Sequence, residues 1–336
     1  MPEPTVSTPT FASGAPDPHE ADRARPGART PRLRWMIAVF ALGLVLLHQA
    51  IRLVPLPPSL ADTIARVHAT PGDDVVILGT CLASQELSEK RMEAAWGGGA
   101  VDGLGMAGTG PMDWALAVKN ELPAGIEHVV VAFVAGDLQN GVPPWESRTP
   151  ELMRATDVPA VWESCDSRLR PGSGSAAENA IRCRVDVTLL YALPAYRYRG
   201  FVAAEVWNWL GAQTLGGEKT IGGRAKAGSL DDLRLTAPTP AEALRWLERL
   251  ADAARARGVT LTFLQMPVRA DASVGFIAAD PNFPALPADL KSRGATYHAL
   301  PTINADLFED EHHVRPEGSD ALSDAVGAWL KQTWPR

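Results

Sequence analysis

The stretch Asp74-Val75-Val76-Ile77-Leu78-Gly79-Thr80-Cys81-Leu82-Ala83-Ser84 decides how the chain is read. Four consecutive aliphatic residues follow the turn signal Gly72-Asp73-Asp74 and run into Gly79. Helix-favouring residues resume at Gln85 and Glu86. An unbroken apolar run of this length, bounded by turn residues, predicts a parallel strand buried on both faces, then a tight turn and a helix. In open α/β sheets chemistry gathers at the carboxyl ends of such strands. Cys81 stands there, just after the glycine, where a nucleophile would be presented.

Outward from this strand the same alternation continues. A helix is expected from about Ser84 to Trp96, broken by Gly97-Gly98-Gly99. Residues 101 to 111 read as a short strand and a glycine-rich loop, and Met112 to Glu121 as a helix. Glu127 to Ala135 contains a second buried strand that ends at Gly136-Asp137. This β–α–β–α–β order predicts a parallel sheet. Beyond about residue 235 the pattern returns. Thr239-Pro240 opens a helix whose apolar face runs to Arg257, and Gly258 ends it. Val259 to Gln265 is a strand, Asp289 to Arg293 a short helix, and Ala295 to Leu300 a last strand. A closing helix is expected from Gly318 to Trp334.

Residues from 138 to about 235 read as an insertion between sheet strands, rich in Pro, Gly and Arg. Val185 to Leu193 and Phe201 to Leu210 are its expected helices or amphipathic lid elements. Its aromatic residues Trp145, Trp162, Tyr191, Tyr196, Tyr198, Trp207 and Trp209 are read mainly as core packing, with a lined groove as the alternative.

The chain has 336 residues, 46% of them apolar, and a formal net charge of −7, which argues against a nucleic-acid binder. None of its three cysteines forms a CxxC pair, so a thiolate zinc site is not expected. Cys165 and Cys183 share one Gly/Ser/Arg-rich segment and form the natural disulfide pair, leaving Cys81 free. Residues 1–33 have almost no bulky apolar side chains and are expected to be a disordered cytoplasmic tail. Arginines at 23, 25, 29, 32 and 34 precede an apolar run from Trp35 to Leu47, which continues to Val54 with His48, Gln49 and Arg52 interrupting. Residues 34–54 are therefore read as an uncleaved transmembrane signal anchor. A cleaved signal peptide is the alternative, and a buried helix of a soluble chain the second. The anchor puts residues 55–336 on the outer side of the cytoplasmic membrane.

The second informative stretch is Phe308-Glu309-Asp310-Glu311-His312-His313-Val314-Arg315-Pro316-Glu317-Gly318. In a loop, Asp310 can accept a hydrogen bond from His313, which fixes the imidazole tautomer and stabilises its charged form. A metal site on His312 and His313 and a solvated acidic loop are the alternatives.

Together these blocks resemble the SGNH/GDSL hydrolase superfamily, in its membrane-anchored bacterial branch related to polysaccharide O-acetyltransferases. The resemblance covers about residues 72 to 137 and 237 to 334 and leaves the insertion unmatched. It implies a three-layer α/β/α SGNH-like (flavodoxin-like) parallel sheet with an insertion, besides the N-terminal membrane helix. Carried over, Cys81 takes the position where the family has serine, His313 is the general base and Asp310 its orienting carboxylate. The backbone N–H groups of Cys81 and of Gly105 or Gly108 would be oxyanion donors. The family's asparagine donor at the end of the third strand is absent or displaced to Asn140. Thr80 or Ser84 acting in place of Cys81 stays open.

The resemblance implies an acyl-ester hydrolase or O-acyltransferase on a cell-envelope or secreted glycan, with no metal or organic cofactor. Its partners would be the membrane, through one N-terminal helix, and a glycan or acyl ester, with no nucleic acid. The bulk of the chain would be periplasmic. The alternative is a catalytically degenerate domain that binds or assembles within a polysaccharide export machine.

Overall fold

The computed structural model describes residues 75–80, 83, 86–105, 109–134, 137, 149–167, 175–193, 196, 240–269, 288–310 and 312–335, with scattered positions between 35 and 49. Residues 1–53 form one unit and 54–336 a second. In the first, the described positions are helical, and Trp35, Met36, Val39, Phe40, Leu42, Val45 and Leu46 are exposed. No described helix is long and apolar enough to cross a membrane. The expected tail at 1–33 and the helix at Phe201 to Leu210 lie outside the described residues.

The second unit is built on a five-stranded parallel sheet. Its strands are β1 (Val75–Gly79), β2 (Val101–Gly105), β3 (His128–Phe133), β4 (Thr260–Gln265) and β5 (Thr296–Ala299). The spatial order is β2-β1-β3-β4-β5. β1 is flanked on both sides and completely buried, which is why its sequence is one continuous apolar run.

The described helices are α1 (Glu89–Trp96), α2 (Pro111–Asn120), α3 (Thr149–Leu152), α4 (Val158–Ser167), α5 (Ala176–Ala192), α6 (Pro240–Ala256), α7 (Ala288–Ser292) and α8 (Pro316–Thr333). They cover both faces of the sheet. Alternate residues of a strand point to opposite faces. Val76, Leu78, Val129 and Val131 meet Trp114 and Leu116 of α2 and Leu247 and Leu250 of α6. Val75, Ile77 and Val130 meet Met92 and Trp96 of α1 and Leu322, Val326 and Leu330 of α8.

One expectation changes just after β1. A helix is expected there from Ser84, yet α1 begins at Glu89 with Ser88 in extended backbone at its N-cap. Helix propensity at Gln85 and Glu86 is a weak prior, and here the side chain of Glu86 is buried under the last helix. The segment between β3 and β4 also contributes to the core. Leu152, Val161, Cys165, Cys183, Val187 and Leu190 pack in the same cluster as α2 and α6. Cys165 and Cys183 are disulfide-bonded with Cα atoms 5.6 Å apart, tying α4 to α5, and the indole N–H of Trp246 donates to Ser164 Oγ at 2.8 Å. Trp162, Tyr191 and Tyr196 pack against this core. The helix expected from Val185 starts instead at Ala176, where the Ser175 side chain accepts the N–H of Glu178 at 3.2 Å.

Candidate active site

The candidate residues gather at the carboxyl ends of β1 and β3 and in the loop between β5 and α8. β1 ends at Gly79, where a Cβ would lie 2.5 Å from the carbonyl oxygen of Ala132 and 2.7 Å from Ala83 Cβ. Only glycine lets the turn leave the sheet this close to β3. Thr80 follows it, buried, with its hydroxyl donating to Asp137 Oδ2 at 3.3 Å. On the other flank, the Thr109 hydroxyl donates to the Gly79 carbonyl at 3.2 Å and accepts from the Trp114 indole at 3.1 Å. Gly105 ends β2 in register with Gly79.

The histidine loop is closed by its own backbone. Phe308 and Val314 form an antiparallel bridge, and the N–H of Glu309 donates to the His313 carbonyl at 2.8 Å. Inside it, Asp310 Oδ1 accepts the N–H groups of His312 and His313 at 2.8 and 2.7 Å. A carboxylate that bonds backbone donors two and three residues on is a short-range turn device that asparagine and aspartate favour. Its second oxygen, Oδ2, lies 2.7 Å from His313 Nδ1. Burial alone would raise the Asp310 pKa. The backbone N–H groups of His313 and His312, and then the His313 ring, outweigh it and hold the carboxyl well below the usual range. Asp310 is therefore an anion that aligns the imidazole through Nδ1.

Gly318 sets this loop against the helix that follows. A Cβ there would lie 2.7 Å from the Leu307 carbonyl oxygen and 2.8 Å from Val314 Cβ.

Two further carboxyls act on the same imidazole. Asp137, after β3, accepts the N–H of Val134 at 2.9 Å through the oxygen that Thr80 also reaches. Burial pushes its pKa up to about 6, against the opposing pull of Val134, Thr80 and His313. Glu86 is 4% exposed, and its Oε1 accepts the N–H of Val314 at 3.2 Å. Burial pushes it up to about 7, with the Val314 N–H and the His313 charge opposing.

The sequence reading missed both as site residues. A charged residue directly after the apolar run of β3 was a signal for Asp137. Glu86 carries none in the sequence, where it reads only as a helix-favouring residue after β1.

Asp310, His312 and His313 place one potential ligand atom each within 4.8 Å of one another. Both Asp310 oxygens are engaged by the hydrogen bonds just described, so this proximity is accounted for by the loop itself. Of the residues expected from the sequence, Asp310 and His313 are brought into contact, and Gly105 stands at the same edge beside the exit of β1. Cys81, Gly108, Asn140 and Ser84 lie outside the described residues.

No family model and no curated protein matches the chain. Among solved structures, the chain is similar to one from Streptococcus pneumonia described as a "putative platelet activating factor". The two are 9% identical with a TM-score of 0.38, over 88% of this chain and 99% of that one.

Proposed function

We propose that the second unit is an SGNH-like (flavodoxin-like) domain that catalyses acyl-ester hydrolysis or O-acyl transfer through Cys81, His313 and Asp310. The observation that carries this reading is the 2.7 Å contact of Asp310 Oδ2 with His313 Nδ1 in the loop before the last helix. It lies at the carboxyl edge of a sheet with the doubly wound order 2-1-3-4-5. Cys81 follows Thr80, the residue that leaves β1 at that edge.

His313 takes the thiol proton as the Cys81 sulfur attacks an ester carbonyl. The carbon–oxygen bond breaks, and the leaving alkoxide collects that proton from His313. Water or an acceptor hydroxyl then attacks the thioester, giving its proton to His313, and the thiol is restored. Asp310 keeps the ring in one tautomer and stabilises the imidazolium in both halves. A cell-envelope or secreted glycan is the proposed acceptor or substrate, by the family resemblance alone. The Cys165–Cys183 disulfide supports an oxidising, extracytoplasmic setting, with the segment 34–54 as the proposed membrane anchor.

One observation favours the second reading, a binding or assembly domain without turnover. Where the family carries an asparagine donor, the described residue is Asp137, whose carboxyl is an acceptor to Thr80 and Val134. An ionised carboxyl beside a developing oxyanion opposes the reaction. The test uses the full-length chain in detergent with an activated acetyl ester, compared with Cys81→Ala and His313→Ala. Turnover abolished by both supports the triad. Turnover untouched by Cys81→Ala sinks the nucleophile assignment, and no turnover in any form leaves the binding reading.

A further inference from the structure

The segment leaving β1 is fastened at two points to the last helix and at one to the histidine loop before it. The backbone carbonyl of Glu86 accepts from Ser319 Oγ at 2.7 Å, and the N–H of Ser88 donates to Ser323 Oγ at 2.9 Å. Between them, Glu86 Oε1 accepts the N–H of Val314, the residue after His313. The other oxygen, Oε2, is buried without a hydrogen-bond partner among the described residues. An internal carboxyl left half-satisfied is costly, so its placement calls for a reason.

The reason suggested by the surroundings is electrostatic. Among the described residues, the charged groups acting on Glu86 belong to the histidine loop: His313 attracts its charge, while Asp310 and Glu309 repel it. α8 offers the segment the neutral hydroxyls of Ser319 and Ser323.

We propose that Glu86 is a positioning residue of this site: its carboxyl holds the histidine loop against the segment leaving β1, and its charge, when present, favours the imidazolium of His313. A negative Glu86 steadies the imidazolium that forms whenever His313 accepts a proton. A neutral Glu86 withdraws that support. Since burial pushes Glu86 up to about 7, the support switches on across the neutral range. For its effect on turnover this rests on the acyl-transfer reading; the contact of Glu86 with the histidine loop is itself a property of the folded chain.

The experiment follows both groups in the full-length chain by NMR, with ¹³C in glutamate Cδ and in the histidine ring, from pH 4 to 9. Glu86→Gln and His313→Ala assign the signals, and ester turnover is measured over the same range. In the wild type, the Glu86 signal is expected to move near pH 7, well above the ordinary glutamate range. Glu86→Gln keeps an acceptor for the Val314 N–H but no charge. It should move the His313 inflection down by about 0.5 pH unit or more, and the acid limb of turnover should move with it. Glu86→Leu loses the acceptor as well and should melt at lower temperature than Glu86→Gln.

A Glu86 carboxyl titrating near pH 4 to 5, or a His313 inflection unmoved in Glu86→Gln, overturns the proposal. Should the Gln variant not fold, the wild-type Glu86 curve decides by itself. A raised Glu86 titration without turnover in any form upholds Glu86 and sinks the acyl-transfer reading instead.

Discussion

Asp310 binds His313 twice: Oδ1 accepts the backbone N–H at 2.7 Å, and Oδ2 meets the ring Nδ1 at 2.7 Å. One carboxylate thus sets both the turn of the loop and the orientation of the imidazole. Asp310→Asn replaces one of those acceptor oxygens by a donor. Ester turnover is expected to fall by about 10²- to 10⁴-fold, as it does when a triad carboxylate is neutralised. Stability should change in the acid range too. The carboxyl is held below its ordinary 3.8, so its contribution is present above that pH and is lost as the pH falls through and below it. Urea midpoints at pH 6 and pH 3 should therefore drop less steeply in Asp310→Asn than in the wild type.

Asp137→Asn keeps an acceptor for Thr80 and for the Val134 N–H while removing the charge. Since burial raises Asp137 to about 6, the wild-type residue is mostly ionised at pH 8. The variant should gain ester turnover severalfold at pH 8 and little at pH 5, where the wild-type carboxyl is already neutral. The linkage has the opposite sign to that of Asp310. A raised carboxyl contributes stability that is full below its unfolded pKa and lost as the pH rises through about 6. Melting curves at pH 5 and 8 should show that loss in the wild type and a smaller one in the variant. Equal pH dependence in both would remove Asp137 from the account.

Gly318→Ala drives a methyl group into the Leu307 carbonyl and Val314 Cβ. Overpacking of this kind costs about 1 to 3 kcal/mol. Because the displaced atoms belong to the histidine loop, turnover should fall even at temperatures where the variant is folded. Gly327→Ala is the control. Its Cβ would meet Ala95 Cβ and the Met92 carbonyl at 2.6 Å, between α8 and α1. It should lower the melting temperature and leave turnover per folded molecule close to that of the wild type.

The Cys165–Cys183 bridge spans 18 residues and lies in the core shared by α2, α4, α5 and α6. The chain-entropy estimate for a loop of that size is about 3 kcal/mol. Reduction, or the Cys165→Ala/Cys183→Ala pair, should lower the thermal midpoint by roughly 5 to 10 °C. Ester turnover of the still-folded double variant at 20 °C should stay near that of the wild type, because neither sulfur touches the histidine loop. A selective loss of turnover would tie this helical segment to the site.

Much of the architecture is legible locally. The continuous apolar runs of β1 and β3 announce strands covered on both faces. The glycine after α6 marks its end, with Gly258 at φ +71. The Asp310-x-x-His313 spacing is readable for the same reason: a turn three residues long is decided by neighbours. The region from 149 to 193 was less transparent. Its helices are short or lack a sharp apolar stripe, so only the second half of α5, from Val185, is expected from the sequence.

The sequence by itself determined the order of the sheet strands, the disulfide partners and the carboxylate–imidazole pair, because each depends on residues close in the chain or on simple counting. Tertiary structure alone decided that Glu86 turns inward and that Asp137 sits beside Thr80. The Glu86–Val314 hydrogen bond spans 228 residues and the Thr80–Asp137 bond 57. A carboxyl's burial, and with it the proton it keeps, is set by whichever distant elements close over it, and no local pattern encodes that.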